Sequence, residues 1–315
     1  MKILITGSLG HIGSYLIRYL HIYYPNSNIV MIDNLMTQRF SSLFNMPIDG
    51  KFTFINADIT NFNLDTIIEE NDVVIHLAAI TDAAGSFEKS NLVELNNFNS
   101  TVSVAESCLR KKSLLITLSS TSVYGTQNEL VTEDCLPNEL NPQSPYAETK
   151  LKEEDFVKNL VTKFGLKATI CRFGTIFGIS AGMRFHTAVN KFCWQAVMNE
   201  PITVWSTAFN QKRPYLDLKD AARAFKHIID SNLFYGETYN ILTLNTTVKE
   251  IVEEIKVNVP NLKIDFVSNK IMNQLSYEVS NLKFIKTGFE FNGNLNDGIK
   301  QTIDLLKKSN NILLK

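Results

Sequence analysis

Short apolar runs alternate with longer amphipathic segments in the first half of the chain, and this alternation limits the fold more than any other feature. The runs have the length of β-strands and are KILIT (2–6), NIVMID (28–33), KFTFIN (51–56), DVVIHLA (72–78), SLLITLS (113–119) and KATICRF (167–173). Segments of helical length lie at 11–24, 87–111 and 146–165. Because this alternation is typical of βαβ units, and because nearly continuous apolar strands are buried on both sides, the sequence predicts an α/β fold with a doubly covered parallel sheet.

The pattern loosens after about residue 178, and no repeat or linker follows. It predicts further helices at 183–199, 217–231, 247–258 and 295–308, and an extended segment at 237–242. We therefore expect a larger domain over 1–178, to which 218–242 return, and a smaller mixed α/β substrate domain over 179–315. Direct packing of the two would leave a cleft between them.

Composition argues against several kinds of partner. Hydrophobic residues make up 44% of the chain, charged residues 20%, and the net charge is -1, so we expect neither nucleic acid nor an anionic membrane as partner. The apolar run in MKILITG is too short for a signal peptide, and a cytoplasmic protein is predicted. The cysteines are widely spaced and the histidines lack metal-ligand spacing, which predicts reduced, mostly buried thiols and no metal.

A glycine-rich loop, GSLGHIG (7–13), follows the first strand and opens the first helix. Gly7 permits the tight turn, Gly10 allows close approach of a pyrophosphate, and Gly13 allows the helix to pack on the sheet. The helix N-terminus adds free N–H groups and a positive dipole end. This arrangement predicts a dinucleotide site.

An aspartate at the end of the second strand, Asp33, selects the dinucleotide. Its carboxylate can accept hydrogen bonds from both ribose hydroxyls of NAD and would repel a 2′-phosphate. The first arginine after it is Arg39, six positions on. NAD is therefore predicted in preference to NADP. Asp58, after the third strand, either binds the adenine amino group or caps a helix.

The stretch SPYAETK (144–150) places Tyr146 and Lys150 one helical turn apart on the same face. A tyrosine of ordinary acidity is a poor base near neutral pH, and a solvent-exposed charge pair supplies only ~0.2–1 kcal/mol. The pair can act as acid and base only in a cleft of low dielectric, with Lys150 and an oxidised nicotinamide both near the phenol. The pattern thus predicts proton transfer coupled to hydride transfer.

In this order, GSLGHIG, HLAA (76–79), SSTSVYG (119–125) and SPYAETK resemble the extended short-chain dehydrogenases/reductases, and among them the NAD-dependent epimerase/dehydratase family. The resemblance covers residues 1 to about 240 and is weaker to about 307. It implies a Rossmann-type sheet, a nucleotide-sugar substrate and a homodimer built through the YxxxK helix and the helix before it.

The resemblance also implies roles for residues at matching positions. Cofactor contacts are implied for Gly7, Gly10, His11, Ile12, Gly13, Asp33, Asn34, Asp58, Ile59, Leu77, Ala78, Ala79, Thr81, Asn97, Tyr146 and Lys150. The implied catalytic group is Ser120, Tyr146 and Lys150. Substrate contacts are implied for Ser120, Thr121, Tyr146, Thr175, Asn190 and Arg213. His76 is expected to be a buried, hydrogen-bonded core residue, and Asp217 and Asp220 are expected to cap a helix.

Two departures from the family pattern concern the substrate. Thr175 stands where the family often has asparagine, and the late arginine and aspartate of a second phosphate clamp are missing from 269–280. Dehydratases and decarboxylases of the family carry an acidic residue just after the position of Ser120, whereas Thr121 and Ser122 are neutral. This favours a C4 epimerase, with a 4-keto reductase or 4-dehydrogenase as the alternative and a non-catalytic NAD-binding module as a further one.

Overall fold

The computed structural model describes residues 1–81, 90–127, 129–268 and 276–310. The strands are β1 (Lys2–Thr6), β2 (Asn28–Asp33), β3 (Lys51–Asn56), β4 (Val73–His76), β5 (Leu114–Ser120), β6 (Leu130–Val131), β7 (Lys167–Phe173), β8 (Thr175–Phe177), β9 (Ile202–Trp205), β10 (Lys212–Asp217), β11 (Thr238–Ile241), β12 (Leu244–Thr247), β13 (Ile264–Val267) and β14 (Glu278–Val279). The helices are α1 (His11–Tyr23), α2 (Ser90–Lys111), α3 (Pro145–Phe164), α4 (Ala188–Val197), α5 (Leu218–Asp230), α6 (Val248–Asn258), α7 (Leu282–Ile285) and α8 (Leu295–Asn310).

A seven-stranded parallel sheet forms the centre of the described chain, in the order β11-β7-β5-β4-β1-β2-β3. The chain starts in the middle at β1, builds one edge through β2 and β3, and then crosses back to β4 to build the other edge. The predicted doubly wound, Rossmann-type sheet is confirmed. Strand order reverses between β1 and β4, and ligands of such sheets bind at that point, beyond the carboxyl ends of the strands.

Helices cover both faces of this sheet. On one face, α1 and α5 contribute Leu16 and Phe225 to the buried core. On the opposite face, α2 and α3 contribute Val104 and Val157 to a separate cluster. Strands buried on both sides have no solvent-facing positions, which explains why the sequence shows continuous apolar runs there.

The later part of the chain builds a second buried core from α4, α6 and α8. Two small sheets, β12-β10-β8 and β13-β9, contribute residues to it. By contrast, β11 pairs with β7 at the edge of the central sheet, so the extended segment expected at 237–242 does return to that sheet. The domain boundary at residue 178 stays a prediction, and β8 already belongs to the smaller three-stranded sheet.

Differences from the expected elements are small. The strand expected to reach residue 78 ends at His76, because the N–H groups that follow bond to the Thr6 hydroxyl and no longer to a neighbouring strand alone. The helix expected from 183 begins at Ala188, after a segment held by side chains. Residues 87–89 of another expected helix lie outside the described residues. All four cysteines are free and three of them are buried, as predicted. Among the described residues, no helix is long and apolar enough to cross a bilayer.

Candidate active site

The glycine loop lies between β1 and α1, at the point where the strand order reverses. Gly7 has a φ of 63°, and a Cβ there would stand 2.7 Å from the Ala78 backbone. A Cβ on Gly13 would stand 2.5 Å from the Ser8 carbonyl oxygen. Gly10 precedes the helix with no side-chain cap, so the first N–H groups of α1 have no partner from a capping side chain. The loop therefore has the close packing and the free donors of a phosphate site.

Asp33 ends β2 beside this loop. Its two carboxylate oxygens accept backbone N–H groups, Oδ2 from Leu9 at 3.0 Å and Oδ1 from Leu35 at 2.9 Å. Each oxygen retains a lone pair for a further donor. The hydrogen bonds fix the carboxylate at the strand end, where the ribose hydroxyls of a dinucleotide were expected.

Arg39 is a residue that sequence reasoning set aside because it lies six positions after Asp33. In the structure its guanidinium is 3.7 Å from the place that a Cβ on Gly10 would occupy. Burial lowers the pKa of Arg39, and the charge of Asp33 opposes this. A half-buried cation thus lies against the glycine loop, where a pyrophosphate would need one.

Asp58 and Ile59, the two residues expected at the adenine, lie in different environments. Asn34 donates to Asp58 Oδ2 at 3.2 Å, and Asp58 also accepts the N–H and hydroxyl of Thr60. The Thr60 hydrogen bonds are the main cause of the lowered pKa of Asp58. The side chain of Ile59, by contrast, is 6% exposed and belongs to the core under α2 and α3. Of these two residues, Asp58 is the one whose side chain presents polar atoms at this edge.

The segment after β4 is tied to its neighbours. The N–H groups of Leu77 and Ala78 each donate to the Thr6 hydroxyl at 3.2 Å. Asn97 of α2 bonds both backbone groups of Ile80, accepting at 2.8 Å and donating at 3.0 Å. Asn97, which was implied as a cofactor contact, therefore bonds the backbone of this segment, and its contact to the cofactor stays a prediction. Ala79 continues it, and Thr81, at its end, accepts from Arg184.

Residues 178–184, which we call the covering segment, lie on the glycine loop from a distant part of the sequence. His11 Nε2 bonds the Gly178 carbonyl at 2.8 Å, and Ser180 donates to the His11 carbonyl at 2.8 Å. The Gly182 N–H donates to Ser14 at 2.9 Å, and a Cβ on Gly182 would stand 2.2 Å from the Leu9 carbonyl oxygen. Only glycine fits such an approach. Sequence reasoning missed this segment, although the glycine at 182 was a visible signal.

These contacts determine the state of His11. Burial lowers its pKa to about 3, so the imidazole is neutral and bonds to the covering segment. The side chain therefore brings no positive charge to a phosphate. Its implied cofactor contact stays a prediction, as does that of Ile12, whose side chain packs against the sheet core.

Helix α3 carries the Tyr146 and Lys150 pair. Ser144 caps it by accepting the Ala147 N–H at 3.2 Å, Pro145 opens it, and Gly165 ends it at a φ of 76°. Tyr146 lies in the first turn, and Lys150 Nζ lies 5.8 Å from the centre of its ring. Lys150 is 3% exposed, so the requirement for a site of low dielectric is met.

The Lys150 ammonium is held by a residue that the sequence did not single out. Its Nζ donates to Glu153 Oε2 at 2.8 Å, and Glu153 is also 3% exposed. Burial alone would lower the pKa of Lys150, but the charge of Glu153 raises it above its ordinary value. In the sequence, KLKEED (150–155) looks like a solvated helix face, and no pattern identified Glu153 as buried.

The next residue joins α3 to the sheet. Glu154 makes a bidentate ion pair with Arg172 of β7, at 2.8 and 2.7 Å. Arg172 also donates to the Tyr124 hydroxyl at 2.9 Å, which in turn donates to Asn240 at 2.8 Å. This network fixes the helix relative to the segment that follows β5.

That segment contains the third implied catalytic residue. Ser120 ends β5, and its Oγ accepts the N–H of Ser122 at 3.2 Å and the hydroxyl of Ser122 at 2.9 Å. Thr121 is buried and donates to the Phe173 carbonyl at 3.2 Å. The short 3₁₀ turn Thr121–Tyr124 contacts α3, so β5 and α3 bring Ser120 and Tyr146 to the same edge of the sheet.

The remaining implied substrate residues lie on three elements, β8, β10 and α4. Thr175 pairs with Tyr215 in the small sheet, and Arg213 lies two residues before Tyr215, so Thr175 and Arg213 project from the same face. Asn190 is fully buried and its amide bonds the covering segment, accepting from the Gly178 N–H at 3.3 Å and donating to the Arg184 carbonyl at 3.0 Å. This geometry gives Asn190 a structural contact, and its direct substrate contact stays a prediction.

Other predictions concerned structural residues. His76 is 3% exposed and bonds Thr6 and Thr101, as expected of a core histidine. Asp217 caps α5 by accepting the Lys219 N–H at 2.8 Å, but the cap expected of Asp220 is wrong, because its carboxylate accepts the N–H groups of Asn292 and Gly293. The late clamp that the family pattern places in 269–280 falls mostly outside the described residues.

A model of the NAD dependent epimerase/dehydratase family matches residues 3–241. An uncharacterised UDP-glucose epimerase of Bacillus subtilis is 29% identical over 249 residues, covering 76% of both chains. A trifunctional UDP-glucose 4,6-dehydratase/UDP-4-keto-6-deoxy-D-glucose 3,5-epimerase/UDP-4-keto-L-rhamnose-reductase of Arabidopsis thaliana is 28% identical over 320 residues. That alignment covers 96% of this chain but only 46% of the plant protein.

Among solved structures, this chain is similar to UDP-glucuronic acid 4-epimerase from Bacillus cereus in complex with UDP-glucuronic acid and NAD. The TM-score is 0.90 and the identity 26%, with 98% of this chain and 100% of the other covered. The similarity therefore extends through both the central sheet and the later part of the chain.

Proposed function

Since the chain belongs to the NAD-dependent epimerase/dehydratase family, we propose that it interconverts the C4 epimers of a nucleotide sugar by transient oxidation at C4. Family membership makes it an NAD-dependent enzyme related to nucleotide-sugar epimerases and dehydratases. The choice of epimerisation rests on the side chains at the carboxyl edge of the central sheet, where Ser120 and Tyr146 lie. Tyr146 and the buried Lys150 supply an acid–base pair, and Thr121 and Ser122 add no acidic group beside it.

The residues of the chain fit NAD. The glycine loop offers free N–H groups, and its packing at Gly7 and Gly13 is too close for a Cβ, which suits a pyrophosphate. Asp33 has lone pairs left for the ribose hydroxyls, and its charge disfavours a 2′-phosphate. Arg39 would balance the pyrophosphate charge. When bound, NAD would supply the acceptor and the donor for a reversible hydride transfer at C4 of the sugar.

Tyr146 performs the proton transfer in this proposal. Its phenolate takes the proton of the C4 hydroxyl as the C–H bond breaks. Its hydroxyl returns that proton after the 4-keto sugar has rotated in the site and presents its other face. Ser120 bonds the reacting oxygen and fixes its angle to the phenol. Lys150 stabilises the phenolate through its charge and would also bond the nicotinamide ribose. Protons and electrons balance within one cycle, so no external reductant is needed.

In this proposal the substrate is bound by Thr175 and Arg213, which project from the same face of the three-stranded sheet β12-β10-β8. A guanidinium suits a diphosphate because it can donate two parallel hydrogen bonds. The similar Bacillus cereus structure contains UDP-glucuronic acid, which supports a UDP-linked sugar and makes that compound the first substrate to test.

One alternative has a specific relative behind it. The Arabidopsis relative combines dehydratase, epimerase and reductase activities in a longer chain, and its reductase activity makes a 4-keto reductase the alternative for this chain.

 That alternative requires a reduced dinucleotide to be consumed and released in every cycle. Asp33 disfavours NADPH, the usual reducing pool, and an epimerase can keep its NAD bound instead. The neutral Thr121 and Ser122 suit both reactions, since neither needs a further acid. Asp33 is therefore the residue that supports epimerisation over reduction.

The test begins with the purified protein and no added cofactor. NAD(H) released by acid should be present, and incubation with UDP-glucuronic acid, UDP-glucose or UDP-N-acetylglucosamine should convert one of them to its C4 epimer, as followed by NMR. Conversion in D₂O should leave C4 without deuterium, because the hydride comes from the substrate itself. Fluorescence titration of the protein freed of cofactor should show tighter binding of NADH than of NADPH.

The matched control is Tyr146→Phe, which removes the phenol oxygen and leaves the phosphate loop intact. We expect it to retain NAD and to lose turnover. Retention of more than a few per cent of activity would exclude Tyr146 as the acid–base. Stoichiometric consumption of NADH or NADPH with a 4-keto sugar, and no epimerisation without it, would instead identify a reductase.

A further inference from the structure

Glu153, the buried side chain that holds Lys150, is the last member of a row of hydrogen bonds that begins on β1 and passes through β4 and α2 to α3. Thr6 of β1 bonds His76 Nδ1 at 2.7 Å, and His76 Nε2 bonds Thr101 of α2 at 3.2 Å. Thr101 donates to Glu153 Oε2 at 2.9 Å, the same oxygen that accepts from Lys150. All five residues are at most 3% exposed.

The donors in this row have a single consistent direction. Thr101 has one hydroxyl proton and gives it to Glu153, so it must accept from the Nε2–H of His76. Burial lowers the pKa of His76 to about 3, so the ring is neutral and its Nδ1 accepts from Thr6. Every donor therefore points toward Glu153, and Lys150 reaches it from the other side.

An ionised Glu153 accepts both donors on one oxygen, and the Lys150 ammonium stabilises its charge. Oε2 accepts two donors, and Oε1 has no hydrogen-bond partner among the described residues, so a proton on Oε1 would have no acceptor. Burial raises the pKa of Glu153, and the charge of Lys150 and the Thr101 hydroxyl oppose that rise. The pair is thus a buried carboxylate against a buried ammonium, 2.8 Å apart.

We propose that Glu153 is a positioning residue that holds the Lys150 ammonium and offsets part of its charge, so that Tyr146 exchanges its proton at a higher pH than Lys150 alone would set. The proposal rests on the proposed roles of Tyr146 and Lys150. It has a chemical reason, because an epimerase must both take and return one proton. A phenolate stabilised too strongly would be a weak base for the first of these steps.

Other charged groups near Lys150 are balanced by their own partners. Glu154, which also faces Lys150, is paired with Arg172 and Lys158. His76, on β4, is neutral. Glu153 is therefore the group whose removal changes the charge felt by Lys150 and Tyr146 most directly.

The test uses the NAD-loaded protein and Glu153→Gln, which keeps the size and an acceptor oxygen but removes the charge. Ionisation of Tyr146 is followed by phenolate absorbance at ~295 nm during a pH titration, with the Tyr146→Phe counterpart of each protein subtracted. While Lys150 stays protonated, the midpoint of the Tyr146 signal in Glu153→Gln should fall by about one pH unit, the size expected for one nearby charge. The acidic limb of the pH–rate profile should move in the same direction.

Controls separate this effect from a loss of structure. Glu148→Gln removes the same charge from an exposed position on α3 and should leave the midpoint unchanged. Glu153→Asp keeps the charge but shortens the side chain, and should lower the midpoint by less than Glu153→Gln does. It also serves as the test if Glu153→Gln does not fold.

An unchanged or raised midpoint in the variants at Glu153 would overturn the proposal. The absorbance titration needs no substrate, so it decides the role of Glu153 even if the protein proves not to epimerise any sugar. Conversely, absence of epimerisation, or an active Tyr146→Phe, would count against the proposed function whatever the midpoint does.

Discussion

Replacing Arg172 by methionine tests how the helix that carries Tyr146 and Lys150 is held to the sheet. Arg172 is 2% exposed and Glu154 is 2% exposed, and they share two hydrogen bonds of 2.8 and 2.7 Å. Arg172→Met fills similar volume but leaves the Glu154 carboxylate buried without its main partner. Breaking a buried ion pair in this way costs about 3–5 kcal/mol of unfolding free energy.

Lys158 gives a matched control, because it contacts the same carboxylate from outside. Its Nζ lies 3.2 Å from Glu154 Oε2, but its side chain is 40% exposed. Exposed pairs contribute about 0.2–1 kcal/mol, so Lys158→Met should cost no more than that. Both variants remove a cation that pairs with the Glu154 carboxylate. The cation of Arg172 is buried, whereas that of Lys158 is exposed.

Urea unfolding, followed by circular dichroism at ~222 nm, measures both changes. A second variant, Arg172→Met with Glu154→Gln, should recover part of the lost stability because no charge is then left unpaired. Equal costs for Arg172→Met and Lys158→Met would refute the reasoning, since they would show that burial does not determine the strength of this pair.

The same ion pair also determines how the stability of the protein changes as the pH falls. Burial alone would raise the pKa of Glu154, but the hydrogen bonds and charge of Arg172 lower it below its ordinary value. A carboxyl with a lowered pKa in the folded state adds stability above its unfolded pKa and loses it as the pH falls through the folded value. Without Arg172 this contribution disappears, so Arg172→Met should unfold at a higher pH than the parent protein during acid titration.

Three further results are expected. Gly182→Ala should weaken NAD binding about tenfold or more, because its Cβ would clash with the Leu9 carbonyl oxygen at 2.2 Å, and calorimetric titration measures this. Gly288→Ala, at a φ of 93° with no atom within 4 Å, should cost stability but leave NAD affinity unchanged. Light scattering at micromolar concentration should give a dimer mass, and Leu95→Glu, which places a charge on an exposed position of α2, should give a monomer if the dimer uses that helix.

The central sheet could be predicted because its determinants are local. The inner parallel strands are buried on both faces, so they appear in the sequence as short continuous apolar runs, and the strand ends were predicted to within one or two residues. The glycine loop and Asp33 follow the first two strands directly, and their position relative to those strands was enough to predict a dinucleotide site.

The rest of the candidate site depends on contacts between distant segments. Glu153 lies in a highly charged stretch, and its burial comes from Thr101, 52 residues earlier. Arg39 looked too far from Asp33 along the chain, yet the loop after β2 folds back and brings it to Gly10. Asn190 was expected to contact substrate, but its amide bonds the backbone of residues 178–184. Linear spacing contains no information about any of these contacts.

The covering segment has a consequence for how the protein is made. His11 leaves the ribosome 167 residues before its partner Gly178. At typical rates of synthesis the delay is about ten to thirty seconds. During that time the growing chain contains every glycine of the phosphate loop and the Asp33 carboxylate, but not the backbone that packs on them. The cofactor site is therefore completed only after the covering segment has been synthesised, and a nascent chain that ends before Gly178 should not retain NAD.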